Sequence, residues 1–130
     1  MRRVESVMIK LVSTFRRKQG LTPEEFHAHW REVHAPIIAR TKSGQHARRY
    51  EQNHRPLASY GTPGLQDWDG VTIQWYDSLE DFQASVREPD YAEIAADLAT
   101  FIDAESLVWI LTDEEEVVDM GSGTVQGAQA

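Results

Sequence analysis

Residues 70–82 read Gly70-Val71-Thr72-Ile73-Gln74-Trp75-Tyr76-Asp77-Ser78-Leu79-Glu80-Asp81-Phe82. The first seven are rich in branched and aromatic residues and read as a strand. From Asp77 the period changes. Leu79, Phe82 and Val86 fall on one side of a helix, which Pro89 stops. A strand feeding an amphipathic helix is one β–α unit, and the flanking sequence supplies the rest.

Upstream, residues 6–15 are branched and predict a first strand, with Val7, Ile9 and Leu11 on one face and Met8, Lys10 and Val12 on the other. Thr22-Pro23-Glu24-Glu25 is a helix start: Thr22 can cap, Pro23 suits the first helical position, and Glu25 can close a capping box. The helix is expected over 23–34, with a bent or second segment to 42, because Pro36 has no N–H for the carbonyl of Glu32. A break or bend near His34 is the expectation. Residues 46–54 predict a polar second strand, and residues 55–69, with two prolines and two glycines, a long loop. Downstream of Pro89, Asp90-Tyr91-Ala92-Glu93 repeats the capping pattern. Tyr91, Ile94, Leu98 and Phe101 continue an apolar stripe, and residues 105–112 predict a fourth strand.

The order strand, helix, strand, strand, helix, strand is the ferredoxin-like βαββαβ arrangement, an α+β fold with an antiparallel sheet and helices on one face. Val7, Ile9, Leu11, Ile73, Trp75, Leu107, Trp109 and Leu111 are read as one face. Met8, Val12, Tyr76, Val108 and Ile110 are read as the other. A sheet apolar on both sides needs a second cover, and each large side chain left in water forgoes about 1.5–3 kcal/mol. An isologous homodimer, sheet against sheet, is therefore expected.

The chain has 130 residues, 41% of them apolar, which is one domain with one core. That domain is expected over 1–112, with 113–130 an acidic, then Gly/Gln-rich, largely disordered tail. A net charge of −8 lacks the basic footprint that nucleic acids or anionic membranes require. The absence of cysteine removes disulfides, thiol catalysis and Cys-based metal centres. No apolar run approaches a membrane span, the charged start is not followed by a signal-type apolar segment, and a soluble cytoplasmic protein is the expectation.

Leu21-Thr22-Pro23-Glu24-Glu25-Phe26, then Trp30, then Val33-His34-Ala35-Pro36-Ile37 resembles the EthD family of the dimeric α+β barrel superfamily. Residues 48–54, 69–71 and 75–82 are similar to further stretches of it, and the likeness covers about 6–112. It implies a homodimer of ferredoxin-like subunits, each with a ligand cavity between sheet and helices. It also implies diverse chemistry: isomerases, polyketide cyclases, dehydratase-like enzymes, and cofactor-free or haem-handling oxygenases. Shared fold does not fix function.

His34, beside Pro36 on a buried helix face, is the lead catalytic candidate. The helix end favours imidazolium and burial favours imidazole. The competing reading is a structural histidine bonded to a carbonyl that Pro36 frees. By strand alternation Tyr50, Gln52 and His54 share one face and Arg49, Glu51 and Asn53 the other. His54 is the second catalytic candidate, with Tyr50 or Asn53 orienting an oxygen; a polar edge strand is the alternative. Trp30, Trp75, Phe82 and Trp109 read as core aromatics that can also line a substrate cavity. Trp68 is a lid candidate, and Arg48 and Arg49 could meet a carboxylate. His27 and His29 point about 160–200° apart on a helix, and His27 and His34 lie about 10 Å apart along it, so no metal site is expected.

The expected function is cofactor-free acid–base isomerisation, cyclisation or dehydration of a small aromatic, polyketide-like or lactone-like compound. A non-catalytic binding or accessory role, and a cofactor-free or haem-dependent oxygenase, are the alternatives.

Overall fold

A computed structural model describes residues 8–64, 68–115 and 117–121. Of the tail expected over 113–130, residue 116 and those beyond Gly121 lie outside the described residues. Four strands, β1 (Ile9–Phe15), β2 (Arg49–His54), β3 (Gly70–Tyr76) and β4 (Val108–Asp113), form one antiparallel sheet in the order β2-β3-β1-β4. The helices are α1 (Pro23–His29), α2 (Ala35–Arg40), α3 (Lys42–Gln45), α4 (Leu79–Arg87) and α5 (Tyr91–Phe101). This is the expected α+β, ferredoxin-like arrangement.

The Thr22 capping box forms in full: the Thr22 hydroxyl accepts from the Glu25 N–H at 3.0 Å, and the Thr22 N–H donates to Glu25 Oε1 at 2.9 Å. Near His34, where a break or bend was expected, the helical backbone continues without a break but changes type, and α2 follows as the expected second segment. Between α1 and α2 the chain makes a π-helical turn, Trp30–His34, closed by the Ala35 N–H on the Trp30 carbonyl. Pro36 then falls in the first turn of α2, where a missing N–H costs nothing. Single π-turns inside helices recur at functional sites. Asp90 differs too: its side chain does not cap α5, and instead its carboxylate accepts from the backbone N–H of Lys42 and Ser43 at the start of α3.

The register corrects the expected division of faces. Leu11 pairs with Gln74 and Leu111, Val12 with Ile73 and Ile110, and Lys10 with Trp75. Directly opposed residues share a face, so Ile73 and Trp75 lie with Lys10 and Val12, whereas Tyr76 lies with Ile9 and Leu11. Parity between strands follows from their pairing, and one residue of slip exchanges the faces.

The helix-facing side carries two buried clusters. One holds Phe15, Phe26, Trp30, Phe101 and Ile102; the other holds Leu11, Tyr76 and Phe82. Gly70 lets the Trp30 indole lie flat on the sheet, since a Cβ there would sit 2.5 Å from the ring. Gly44 permits an equally close approach of α3 to the Ile38 carbonyl. On the opposite face Val12, Val71, Ile73 and Trp75 are half-buried. Along β4, Val108, Trp109, Ile110 and Leu111 are each 41–45% exposed.

Candidate active site

Members of both clusters wall a hollow of about 60 Å³ between sheet and helices. A water needs about 10–15 Å³ on such a measure, so the hollow takes a small ligand. Leu11, Phe15, Trp30, Ile38, Phe82 and Trp109 give it an apolar lining, and His34, Tyr50, Ser13, Thr72 and Gln74 are its notable polar groups.

The π-turn delivers His34, only 3% exposed, to this hollow. Its Nδ1 lies 2.8 Å from Asp97 Oδ2. A carboxylate can only accept, so Nδ1 carries the hydrogen and neutral His34 has a bare Nε2. No hydrogen bond among the described residues engages that Nε2. Burial pulls the His34 pKa below its ordinary value, partly opposed by the Asp97 hydrogen bond and charge. The ring is therefore neutral at pH 7, a base rather than an imidazolium. Asp97 is itself steadied by His29, whose Nε2 sits 3.0 Å from Oδ1.

Tyr50, from β2, reaches the same hollow. Its hydroxyl oxygen accepts from Trp30 Nε1 at 3.2 Å and from Gln52 Nε2 at 2.9 Å. Its own hydrogen meets no acceptor among the described residues. Burial raises the phenol pKa, with the two N–H donors opposing, so Tyr50 stays a neutral donor at pH 7. Ser13 and Thr72, cross-strand neighbours on the sheet, place two further buried hydroxyls in the wall.

Of the site residues read from sequence, His34, Trp30, Tyr50, Phe82 and Trp109 line the hollow together. Asn53 and Trp75 do not, because strand parity turns them to the opposite face: Asn53 bonds Glu51, and Trp75 lies beneath Lys10 and Arg49. His54 is on the helix-facing side but outside the hollow. Its ring lies 4.2 Å from the Trp30 ring, and its Nδ1 meets Nδ1 of His27 at 2.7 Å. Burial, then the neighbouring His27 and Arg31, lower its pKa to about 4. Trp68 does not line the hollow; it stacks under Arg16. Arg48 and Arg49 pair with Asp77 and Glu51. No group of three His, Asp or Glu among the described residues is placed to hold a metal.

Asp97 was not among the residues singled out from sequence. Its signal was present: it shares the helix face of Ile94 and Phe101, and a carboxylate within an apolar stripe needs a partner. Ser13, Thr72 and Gln74 gave no such signal, since small polar residues in strands are ordinary.

The EthD domain model matches residues 18–105, and the chain belongs to the EthD domain family. An EthD family protein from Bacillus halodurans C-125 is similar at 18% identity, with 83% of this chain and 99% of that chain covered and a TM-score of 0.64. A dimeric ferredoxin-like protein of unknown function from Thermobifida fusca YX matches at 16% identity over 84% and 92% of the two chains, TM-score 0.58. A hydroxynitrile lyase from Passiflora edulis matches at 14% identity over 88% and 99%, TM-score 0.57. At these identities the likeness is one of fold. No curated protein matches the chain. No described helix is long and apolar enough to cross a membrane.

Proposed function

We propose that the chain is a cofactor-free enzyme that moves a proton on a small carbonyl-containing compound. The observation that carries this is the Asp97–His34 pair, whose unengaged Nε2 shares a hollow with the unengaged hydroxyl hydrogen of Tyr50. His34 takes a proton from carbon as general base, and Tyr50 donates to the oxygen on which negative charge builds. Asp97 holds the ring in the productive tautomer and offsets the imidazolium that forms. His34 then returns the proton at a second carbon, or to a leaving hydroxyl. The outcomes are isomerisation, ring closure or dehydration, with no electrons exchanged. The small volume favours the lactone-like end of the expected substrates over the polyketide-like end. The hydroxynitrile lyase likeness supports the reading only in that the same fold carries small-molecule chemistry of one named kind.

The test is hydrogen–deuterium exchange in deuterated water, followed by NMR on a five-membered unsaturated lactone, a cyclic 1,3-diketone and an aromatic β-hydroxy ketone. Wild type is expected to accelerate exchange or turnover of at least one, and His34→Gln to lose about 10²–10⁴ of that acceleration. Acceleration retained in His34→Gln, or absent for all three, overturns the reading.

The working unit is proposed to be a homodimer in a reducing cytoplasm, a compartment that a chain without cysteine suits. Val12, Val71, Ile73, Trp75, Val108 and Ile110 form an apolar sheet face that no described element covers, and the Thermobifida relative is named as dimeric. Sedimentation is expected to give twice the 14.8 kDa of one chain, falling to one chain in Ile110→Asp. A stable single-chain wild type would contradict the dimer.

A further inference from the structure

The two histidines at the other end of α1 and β2 belong to a continuous hydrogen-bonded chain whose polarity can be worked out from one fixed point. That point is the Trp30 carbonyl, which can only accept. Gln52 lies 2.9 Å from it through Nε2, so this end of the Gln52 amide is the NH₂ group. The same NH₂ reaches the Tyr50 hydroxyl oxygen. The amide oxygen is thereby turned to His54 Nε2, 2.7 Å away, and that nitrogen must carry a hydrogen. Neutral His54 then has a bare Nδ1. The facing Nδ1 of His27 must be the donor across their 2.7 Å contact. His27 Nε2 is left bare, 2.9 Å from the Tyr60 hydroxyl, which also lies within hydrogen-bond reach of Asp69 Oδ1.

We infer that Gln52 is a positioning residue for the Tyr50 hydroxyl, and that the His27–His54 pair locks the amide of Gln52 in its donating orientation. The inference rests on Tyr50 being the hydroxyl that meets a ligand. The geometry gives it a physical reason. A free glutamine amide has two orientations, and the flipped one would set its oxygen against the Trp30 carbonyl and take a donor away from the Tyr50 oxygen. The His54 Nε2–H, donating to the amide oxygen, holds the same orientation from the far side. With Trp30 Nε1 and Gln52 Nε2 both donating to the phenol oxygen, the phenol hydrogen points away from them and any negative charge on the oxygen is stabilised in advance.

The far end of the chain takes up the change in proton count without disturbing the lock. Four links from Asp69 to Gln52 need four hydrogens, whereas an ionised Asp69, neutral Tyr60 and two neutral histidines supply three. The shortfall falls at Tyr60, where one hydroxyl hydrogen serves two acceptors. It does not fall at Gln52, because the His54 Nε2–H is already committed. A fourth proton, entering at His27 Nε2, completes the chain. Asp69 and Glu24 favour that proton, while burial, Arg31 and Arg17 oppose it; Arg55 stacks on Tyr60 and His54 faces the other nitrogen. The orientation of Gln52 is the same with three protons or with four, so the support of Tyr50 persists above neutral pH.

Long-range nitrogen–proton correlation NMR on the wild-type protein above neutral pH tests the lock directly. His54 is expected as the Nε2–H tautomer and His27 as the Nδ1–H tautomer; His54 found as Nδ1–H overturns the inference. The effect on Tyr50 is read by fluorine NMR after replacing tyrosine with meta-fluorotyrosine, whose phenol ionises at lower pH. The Tyr50 signal is assigned with Tyr50→Phe. In Gln52→Leu the Tyr50 phenol is expected to ionise about one pH unit or more higher, because a donor to the charged form is lost. His54→Phe should move it the same way by less, and Tyr91 should not move. An unchanged Tyr50 titration in Gln52→Leu contradicts the inference. If Gln52→Leu fails to fold, the wild-type tautomers decide alone. Failure of every test compound to exchange would remove the proposed reaction while leaving these tautomers and titrations as predicted.

Discussion

Two histidines neighbour the Trp30 indole, buried His34 sharing the hollow with it and half-buried His54 packed against its ring, and burial holds both pKa values below the ordinary range. Their partners make them different. His34 faces a carboxylate, which fixes its tautomer, offsets a developing positive charge and leaves Nε2 bare toward a hollow. His54 faces a second imidazole and an amide, so both its nitrogens are spent and a positive charge there is opposed by His27 and Arg31. The lesson is that a histidine's role is set by what holds its second nitrogen. On the proposed function one ring accepts a proton from a ligand and the other orients a neighbour.

The comparison breaks most sharply at His34. Its replacement by Gln should cost about 10²–10⁴ in proton-transfer rate, whereas His54→Gln, with its support of Tyr50 indirect, should cost much less. Equal losses measured in the exchange assay would erase the distinction. Asp97→Asn is the next largest effect. It removes a hydrogen bond to a charged group worth about 1.5–3 kcal/mol, roughly 10–150-fold in rate, with the fold retained by circular dichroism.

The partition itself is testable at Gly70. A methyl group there would lie 2.5 Å from the Trp30 ring and 3.1 Å from Phe15. Gly70→Ala should destabilise the chain by about 1–3 kcal/mol in urea and shift the ring resonances of both His54 and residues of the hollow. No change in either would show that Trp30 does not wall one region from the other.

The smallest effect is on stability against pH. His27, His34 and His54 have folded pKa values below 6.5, so the unfolded chain binds protons first as the solution is acidified. Their contribution is complete above pH 6.5 and is lost as the pH falls from 6.5 toward the folded values, about 4 for His54. Thermal midpoints should fall across that window, and His34→Gln should make the fall shallower. A slope unaffected by His34→Gln would count against a buried neutral ring.

Much of this was legible in residue order. The Thr22–Glu25 capping box, the period change at Asp77 and the branched runs fixed the element order. The neighbourhood of His34 beside Pro36 marked one side of the hollow. What failed did so for definite reasons. Pro36 predicts a break only if the preceding turn is α-helical, and a π-turn absorbs it. Trp75 was read toward the ligand because alternation gives parity within a strand but not between strands, whereas alternation within β2 had already set Asn53 on the face opposite Tyr50 and His54. His54 was read as a second candidate beside His34 because sequence cannot show that its Nδ1 is met by His27.

The central claim is that His34 presents a bare Nε2 to the hollow while Asp97 holds its Nδ1–H. Long-range nitrogen–proton correlation of the His34 ring above neutral pH measures this without any substrate. The account predicts a hydrogen on Nδ1 and none on Nε2, reverting to a mixture of tautomers in Asp97→Asn. A wild-type ring protonated on Nε2, or charged above pH 7, would contradict it.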